Sequence, residues 1–150
     1  VVIGSFGYAG SVSIQTGGVL KSALIATDGL GGNIGLSGGT IVALDNLQVN
    51  ALIVLAGSGT VDTAGHDATI SSVVSGSQLI KSGAGILTLT GVNTYTGATT
   101  ISGGTLSVGV LADGGANSNI GIEAVANMTG VMVQPVEKTS RKAIWPVLKA

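Results

Sequence analysis

The sequence predicts an all-β fold in which short parallel strands wind into a stack of similar coils, a β-solenoid. Three observations support this prediction. Glycine supplies 26 of the 150 residues, while Lys and Arg number 6 and Asp and Glu number 7. A Gly-x-apolar triplet returns at intervals of roughly twenty residues, which is typical of solenoid repeats. Between these triplets, apolar and polar residues alternate in short runs, the pattern of half-buried strands.

The composition excludes several other classes of protein. Charged helix faces are missing, which argues against a helical or α/β domain. The mean hydropathy is +0.62, but the longest apolar run, 51–56, is far shorter than the ~20 residues of a membrane-spanning helix. No transmembrane segment is therefore expected. A net charge of −1 argues against nucleic acid as a partner, and the absence of cysteine excludes disulfides and thiolate metal sites.

The repeated triplet sets the expected length of one coil. Successive intervals between its glycines are 21, 20, 26 and 19 residues. We interpret the 26-residue interval as a coil with a turn insertion at 65–67. Residues 1–121 then contain about six coils. The glycines of the triplet are Gly18, Gly39, Gly59, Gly85 and Gly104.

Each coil should bury aliphatic side chains at alternate positions and expose Ser and Thr between them. Glycine and asparagine are expected at corners of the coil with positive φ. The inward positions should include Ile41, Val61, Leu87 and Leu106. By the same alternation, the predicted inward pairs are Ile41 with Ala43, Leu52 with Val54, and Leu87 with Leu89.

The most informative segment is 79–109, which reads LIKSGAGILTLTGVNTYTGATTISGGTLSVG and continues in a similar style to Gly121. It resembles the passenger-associated repeat of bacterial autotransporters, in which GxGxLxLxGxNxYTGxTxxxxGTLxxG recurs. The resemblance implies a right-handed parallel β-helix. Together with the triplets, it marks the following structural repeat residues: Gly39, Gly59, Gly85, Leu87, Leu89, Gly91, Asn93, Tyr95, Gly97, Gly104 and Leu106.

The resemblance also implies a function. It indicates an extracellular stalk segment on the bacterial cell surface, with a repeat that assists secretion and folding of the passenger. The implied partner is an outer-membrane translocator barrel, which is not expected within this chain. The sequence leaves open an adhesin surface that binds glycans on host or neighbouring cells. A more distant alternative is a carbohydrate-active β-helix enzyme, a lyase or hydrolase.

The chain changes character after about residue 121. Residues 1–120 carry two Lys against five Asp, a net charge of −3, whereas residues 121–150 carry four basic residues against two Glu, a net charge of +2. Both prolines and the single Trp also lie in 122–150. We interpret this tail either as a cap or linker, or as a foreign extension. Because the chain starts Val-Val-Ile and shows no signal peptide, we expect an internal piece of a longer protein.

Two patterns in the chain permit nucleophilic chemistry. Residues 35–39 read Gly-Leu-Ser-Gly-Gly and fit the G-x-S-x-G nucleophile motif around Ser37, but no helix follows to form the elbow. His66, the only histidine, lies between Asp62 and Asp67 and could serve as a base or metal ligand. We expect a glycine corner and a polar turn instead, with Ser37 and His66 on different faces.

The acidic residues offer one possible cluster. Asp28, Asp45, Asp62, Asp67 and Asp113 are spread at about one per coil. The first three are spaced 17 residues apart and could approach one another on successive coils. A lyase would also need nearby basic residues, but Lys21 and Lys81 lie far apart. The sequence therefore predicts no catalytic residue, no metal site and no cofactor.

Overall fold

The computed structural model describes residues 1–3, 10–27, 31–108 and 134–135, and within this part every regular element is a β-strand. The all-β prediction is confirmed. The strands are β1 (Val2–Ile3), β2 (Gly10–Gln15), β3 (Val19–Thr27), β4 (Gly32–Ser37), β5 (Thr40–Val49), β6 (Leu52–Asp62), β7 (Ala68–Ile70), β8 (Val74–Ser82), β9 (Ile86–Leu89), β10 (Thr99–Ile101), β11 (Thr105–Val108) and β12 (Gln134–Pro135).

All pairs between these strands are parallel, and they form three ladders that we call the first, second and third faces. The first face joins β2, β4 and the starts of β6 and β8. The second joins the starts of β3 and β5, the ends of β6 and β8, and β10. The third joins β1, the ends of β3 and β5, β7, β9, β11 and β12. Each ladder follows chain order, so every coil lies on the one before it.

Five coils are described, close to the six that the sequence predicts. They are coil 1 (10–27), coil 2 (32–49), coil 3 (52–70), coil 4 (74–89) and coil 5 (93–108). The first side of coil 5 lies on β8, because the backbone N–H groups of Thr94 and Thr96 donate to the carbonyls of Val74 and Gly76. The predicted boundary at 121 lies outside the described residues and stays a prediction.

Stacked aliphatic side chains fill the interior. On the third face, one column is aligned through all five coils, and its members are at most 1% exposed. The predicted inward positions Ile41, Val61, Leu87 and Leu106 are also buried, which confirms them. Burying one such side chain contributes about 1.5–3 kcal/mol relative to leaving it exposed. The column consists of Ile25, Val49, Ile70, Leu89 and Val108.

The predicted inward pair Leu52 and Val54 is wrong. Leu52 is 39% exposed and Val54 is half-buried, while Ile53 and Leu55 point into the interior. The run 51–56 is apolar at every position, so alternation cannot distinguish the two possible faces. Pairing with the neighbouring coils decides it, because Ile53 is aligned with both Ile34 and Val74.

The interpretation of the 26-residue interval as one enlarged coil is also wrong. Gly59 is aligned with Leu79, twenty residues later, and not with Gly85. Gly85 precedes Ile86, which begins the next strand of the third face. The triplet therefore marks the start of the second face in coils 1–3 and the start of the third face in coils 4 and 5. At both corners a Cβ on the glycine would overlap atoms of the preceding coil, namely the Ile14 backbone at Gly39, the Leu36 side chain at Gly59 and the His66 carbonyl at Gly85.

Candidate functional site

The most unusual position in the interior belongs to Lys81. Its neighbours in register on the second face are Val61 in coil 3 and Ile101 in coil 5. The same column continues through Ile41 in coil 2 and Leu20 in coil 1. Lys81 is nevertheless fully buried. An ammonium in an apolar interior is strongly unfavourable unless hydrogen-bond acceptors surround it. The site therefore depends on what its Nζ contacts.

Four oxygen atoms surround the Lys81 Nζ, which donates to all of them; we call this arrangement the Lys81 cage. The distances are 2.9 Å to the Thr63 Oγ1, 2.7 Å to the Ser82 carbonyl, 2.7 Å to the Gly83 carbonyl and 3.0 Å to the Gly103 carbonyl. These acceptors come from coils 3, 4 and 5. One buried cation thus contacts three successive coils at the corner between the second and third faces.

Thr63 completes the cage from the preceding coil. Its hydroxyl is fully buried and donates to the Ser82 carbonyl at 3.0 Å. The same oxygen accepts the backbone N–H of Gly85 at 3.1 Å as well as the Lys81 ammonium. The Thr63 Oγ1 is therefore bonded to a cation, an amide and a carbonyl, so it is positioned as an acceptor for the lysine and is not available to solvent.

Burial lowers the pKa of Lys81 from its ordinary value of 10.5 to about 8, and the Asp62 carboxylate acts in the opposite direction. The side chain is therefore an ammonium at neutral pH. Asp62 itself accepts the backbone N–H of Ala64 at 2.9 Å through Oδ1, which helps to hold the turn that follows. The four acceptors of the cage hold the Lys81 ammonium. A charged lysine does not act as a base.

Gly104 closes the cage. It has a φ of +68°, and a Cβ at this position would lie 2.8 Å from the Lys81 Nζ and 2.5 Å from the Gly83 carbonyl oxygen. Positive φ was expected at corner glycines, and Gly104 meets that expectation. Gly39 and Gly85 do not: they are required for close approach, because a Cβ there would overlap the backbone of Ile14 and the carbonyl of His66.

The remaining repeat residues also lie at contacts between coils. Leu87 and Leu89 are fully buried on the third face, and Leu106 is 2% exposed. A Cβ on Gly59 would meet the side chains of two inward leucines, and a Cβ on Gly91 or Gly97 would overlap backbone of the coil before.

Asn93 and Tyr95 begin coil 5, and both are fully buried. The Asn93 Oδ1 accepts the backbone N–H of Val74 at 2.8 Å. The Tyr95 Oη lies 2.7 Å from the Thr99 Oγ1. Burial raises the pKa of Tyr95 to about 12, and its hydrogen bond with Thr99 acts on the pKa in the opposite direction. The tyrosine is thus a neutral interior hydrogen-bonding group.

The structure does not bring the candidate nucleophile and base together. Ser37 ends β4 on the first face, and β5 begins at Thr40, so no helix follows the motif. His66 is exposed at the corner after β6, where its backbone N–H donates to the Thr63 carbonyl at 2.8 Å. The two residues lie on different sides of the solenoid, as the sequence predicts.

The aspartates do not align either. Asp62 is in register with Val42 and Ser82, because coils repeat at about twenty residues and not seventeen. Asp45 is exposed on β5, where its Oδ1 accepts the Asn46 N–H. Asp67 accepts the Ile86 N–H at 2.9 Å. Asp28 and Asp113 lie outside the described residues. Among those that are described, no group of three His, Asp or Glu residues could hold a metal ion.

Sequence reasoning missed the role of Lys81 and Thr63. A signal was present: Leu79 and Lys81 alternate in phase on one strand, so an inward Leu79 implies an inward Lys81. Thr63 had no comparable signal, because it lies in a turn. Its position follows only from the stacking of coil 3 on coil 4.

Comparison with known proteins supports the resemblance noted in the sequence. Residues 79–108 match the family model of the passenger-associated-transport-repeat. No curated protein matches the chain, and no solved structure does. The described residues also contain no helix that is long and apolar enough to cross a membrane. Lys81, Ser82, Gly83 and Gly103 lie within the matched repeat, whereas Thr63 lies outside it.

Proposed function

We propose that this chain is a stalk segment of an autotransporter-type passenger, and that its repeat assists secretion and folding of the passenger. The observation that carries this proposal is that the matched repeat, 79–108, spans the second and third faces of coil 4 and all of coil 5 in a continuous parallel solenoid. The repeat is therefore not a separate module. It is part of the stack and presents its backbone to the coil before it.

The use of the hydroxyl side chains supports a structural role. Several Ser and Thr hydroxyls donate to a backbone carbonyl of an adjacent coil, at distances between 2.5 and 3.3 Å. Such bonds stiffen the stack and occupy groups that would otherwise be free for a ligand. The donors are Thr16, Thr63, Ser71, Ser72, Ser75 and Ser102.

A stacked solenoid also suggests a physical mechanism for assisting secretion. Each coil offers a row of backbone groups to the next coil, so folding outside the cell can proceed by addition of one coil at a time. Formation of each coil then opposes backward movement of the chain without a chemical energy source. In this proposal the chain works at the bacterial cell surface, its partner is an outer-membrane translocator, and no residue is catalytic.

Two deletions of one coil each test the assistance by the repeat. Removing 79–98 joins Gln78 to Thr99 and keeps the register, because Leu79 and Thr99 are aligned. Removing 40–59 joins Gly39 to Thr60 in the same way. Both are placed between a secretion signal and a translocator, and surface display of an epitope is measured. We expect display to fall strongly only for the first deletion; equal display would contradict the proposal.

An adhesin surface is the second candidate. One outward column of the third face carries polar side chains on four successive coils, aligned about 4.8 Å apart. Such a column could contact a glycan. Binding of the purified chain to a glycan array, lost when Thr69 and Thr88 are both replaced by Val, would favour this candidate. The column consists of Gln48, Thr69, Thr88 and Ser107.

A further inference from the structure

We propose that the Lys81 cage is a joint, built around the Lys81 ammonium, through which the matched repeat attaches to coil 3. The partner it fits is a β-coil that presents a hydroxyl at the corner between the second and third faces. In this chain the hydroxyl is that of Thr63. This inference concerns coupling between coils and does not depend on the role of the repeat in secretion.

The Lys81 cage is divided between the matched repeat and coil 3, which supports its role as a joint between them. The cation and three carbonyl acceptors, from Ser82, Gly83 and Gly103, belong to the matched repeat. The fourth acceptor, the Thr63 Oγ1, belongs to coil 3. The ammonium has three protons for four acceptors within 3.0 Å, so part of its interaction is shared. Without coil 3, the same ammonium would lose one acceptor and its cover on that side.

The geometry also couples the two junctions of coil 4. Lys81 extends from coil 4 and contacts coil 3 through Thr63 and coil 5 through Gly103. Hydrogen bonds to a charged group are stronger than neutral ones and contribute more when buried. Loss of this one side chain should therefore loosen both junctions together. An ordinary aliphatic residue at the same position, such as Val61 in coil 3, provides packing but no such directional contact.

Amide hydrogen exchange in the full chain tests the joint. The N–H groups of Thr63 and Ser102 donate to the carbonyls of Ser82 and Lys81 and report the junctions on either side of coil 4. The N–H of Thr40, which donates to the Gly18 carbonyl, reports the distant junction of coils 1 and 2. In Lys81→Met we expect roughly tenfold or faster exchange at Thr63 and Ser102, with no change at Thr40.

A matched set of variants separates the joint from general loss of packing. Thr63→Val should accelerate the Ser102 amide, whereas Thr63→Ser should behave as wild type because it keeps the hydroxyl. Lys21→Met removes an exposed lysine and should have no effect. Combining Thr63→Val with Lys81→Met should accelerate exchange by less than the product of the two single effects, since both remove the same contact.

Three results would overturn the proposal. They are wild-type exchange in Lys81→Met, equal effects of Thr63→Val and Thr63→Ser, and multiplicative effects in the double variant. If Lys81→Met does not fold, the comparison of Thr63→Val with Thr63→Ser still decides the matter at the Ser102 amide. A failed deletion test of secretion would leave these exchange results unaffected, so the two proposals fail separately.

Discussion

The hydroxyl oxygens of Tyr95 and Thr99 lie 2.7 Å apart inside coil 5, and both residues are fully buried. Tyr95 is on the first side of this coil and Thr99 begins the second, so their contact spans one corner. In coil 4, Leu79 occupies the position that Thr99 has in coil 5. A polar pair thus stands where coil 4 has an aliphatic residue, and it joins two sides of one coil.

The Tyr95–Thr99 contact should contribute measurably to stability. We predict that Tyr95→Phe lowers the free energy of unfolding by about 1 kcal/mol, because a buried hydrogen bond is lost. Urea unfolding measures the change. Thr99→Val combined with Tyr95→Phe should cost less than the sum of the two single variants. Additive costs would show that the hydroxyls act independently, and Thr88→Val on the outer surface serves as the control.

Lys81 should make stability depend on pH in a defined direction. Its pKa is lowered from 10.5 to about 8 in the folded chain, so the unfolded chain binds more protons between these values. The free energy of unfolding should therefore rise with pH across this window. Below it, the cost of burying the charge is present in full and is set against the four hydrogen bonds of the cage. Comparing wild type with Lys81→Met isolates the effect, since Tyr95, with its raised pKa, is present in both.

The opposite slope in that comparison is equally informative. If wild type shows no rise between pH 8 and 10.5 and instead loses stability relative to Lys81→Met as pH rises above 10.5, the four oxygen acceptors outweigh burial and hold the ammonium charged. The pKa of Lys81 would then be raised, contrary to the prediction. Chemical denaturation at a series of pH values gives either answer.

Gly85 should not tolerate a side chain. We predict that Gly85→Ala destabilises the chain by about 1–3 kcal/mol, because its Cβ would overlap the His66 carbonyl and force coils 3 and 4 apart. Gly35→Ala is the matched control: a Cβ there meets nothing closer than 3.9 Å, and the φ of Gly35 is not positive. Equal melting temperatures for the two variants would show that the backbone at Gly85 relaxes without cost.

The chain should have no hydrolase or lyase activity. Ser37 and His66 lie on different sides of the solenoid, and Asp62 is aligned with Val42 and not with Asp45. A nucleophile without a base in reach is not activated. Assays of the purified chain on pectin, chitin and ester substrates measure this. Turnover that disappears in His66→Ala or Asp45→Asn would refute the structural interpretation and support the enzyme.

The sequence by itself determined the class of fold and much of the repeat. Glycine-bounded alternation predicted the strands, and the repeat spacing predicted their stacking. In 86–89 and 105–108 the inward residues were correct because Thr88, Thr105 and Ser107 fix the phase of the alternation. The alternation needed no tertiary information there, since only one of the two strand faces could be buried.

Only the tertiary structure decided which neighbours these strands meet. The apolar run 51–56 had two equivalent phases, and alignment of Ile53 with Ile34 and Val74 selected one. The change of corner between Gly59 and Gly85 was invisible in the triplet, because a Cβ at either glycine would overlap atoms of the preceding coil. The burial of Lys81 required acceptors from three coils, and backbone carbonyls carry no side-chain signature in a sequence.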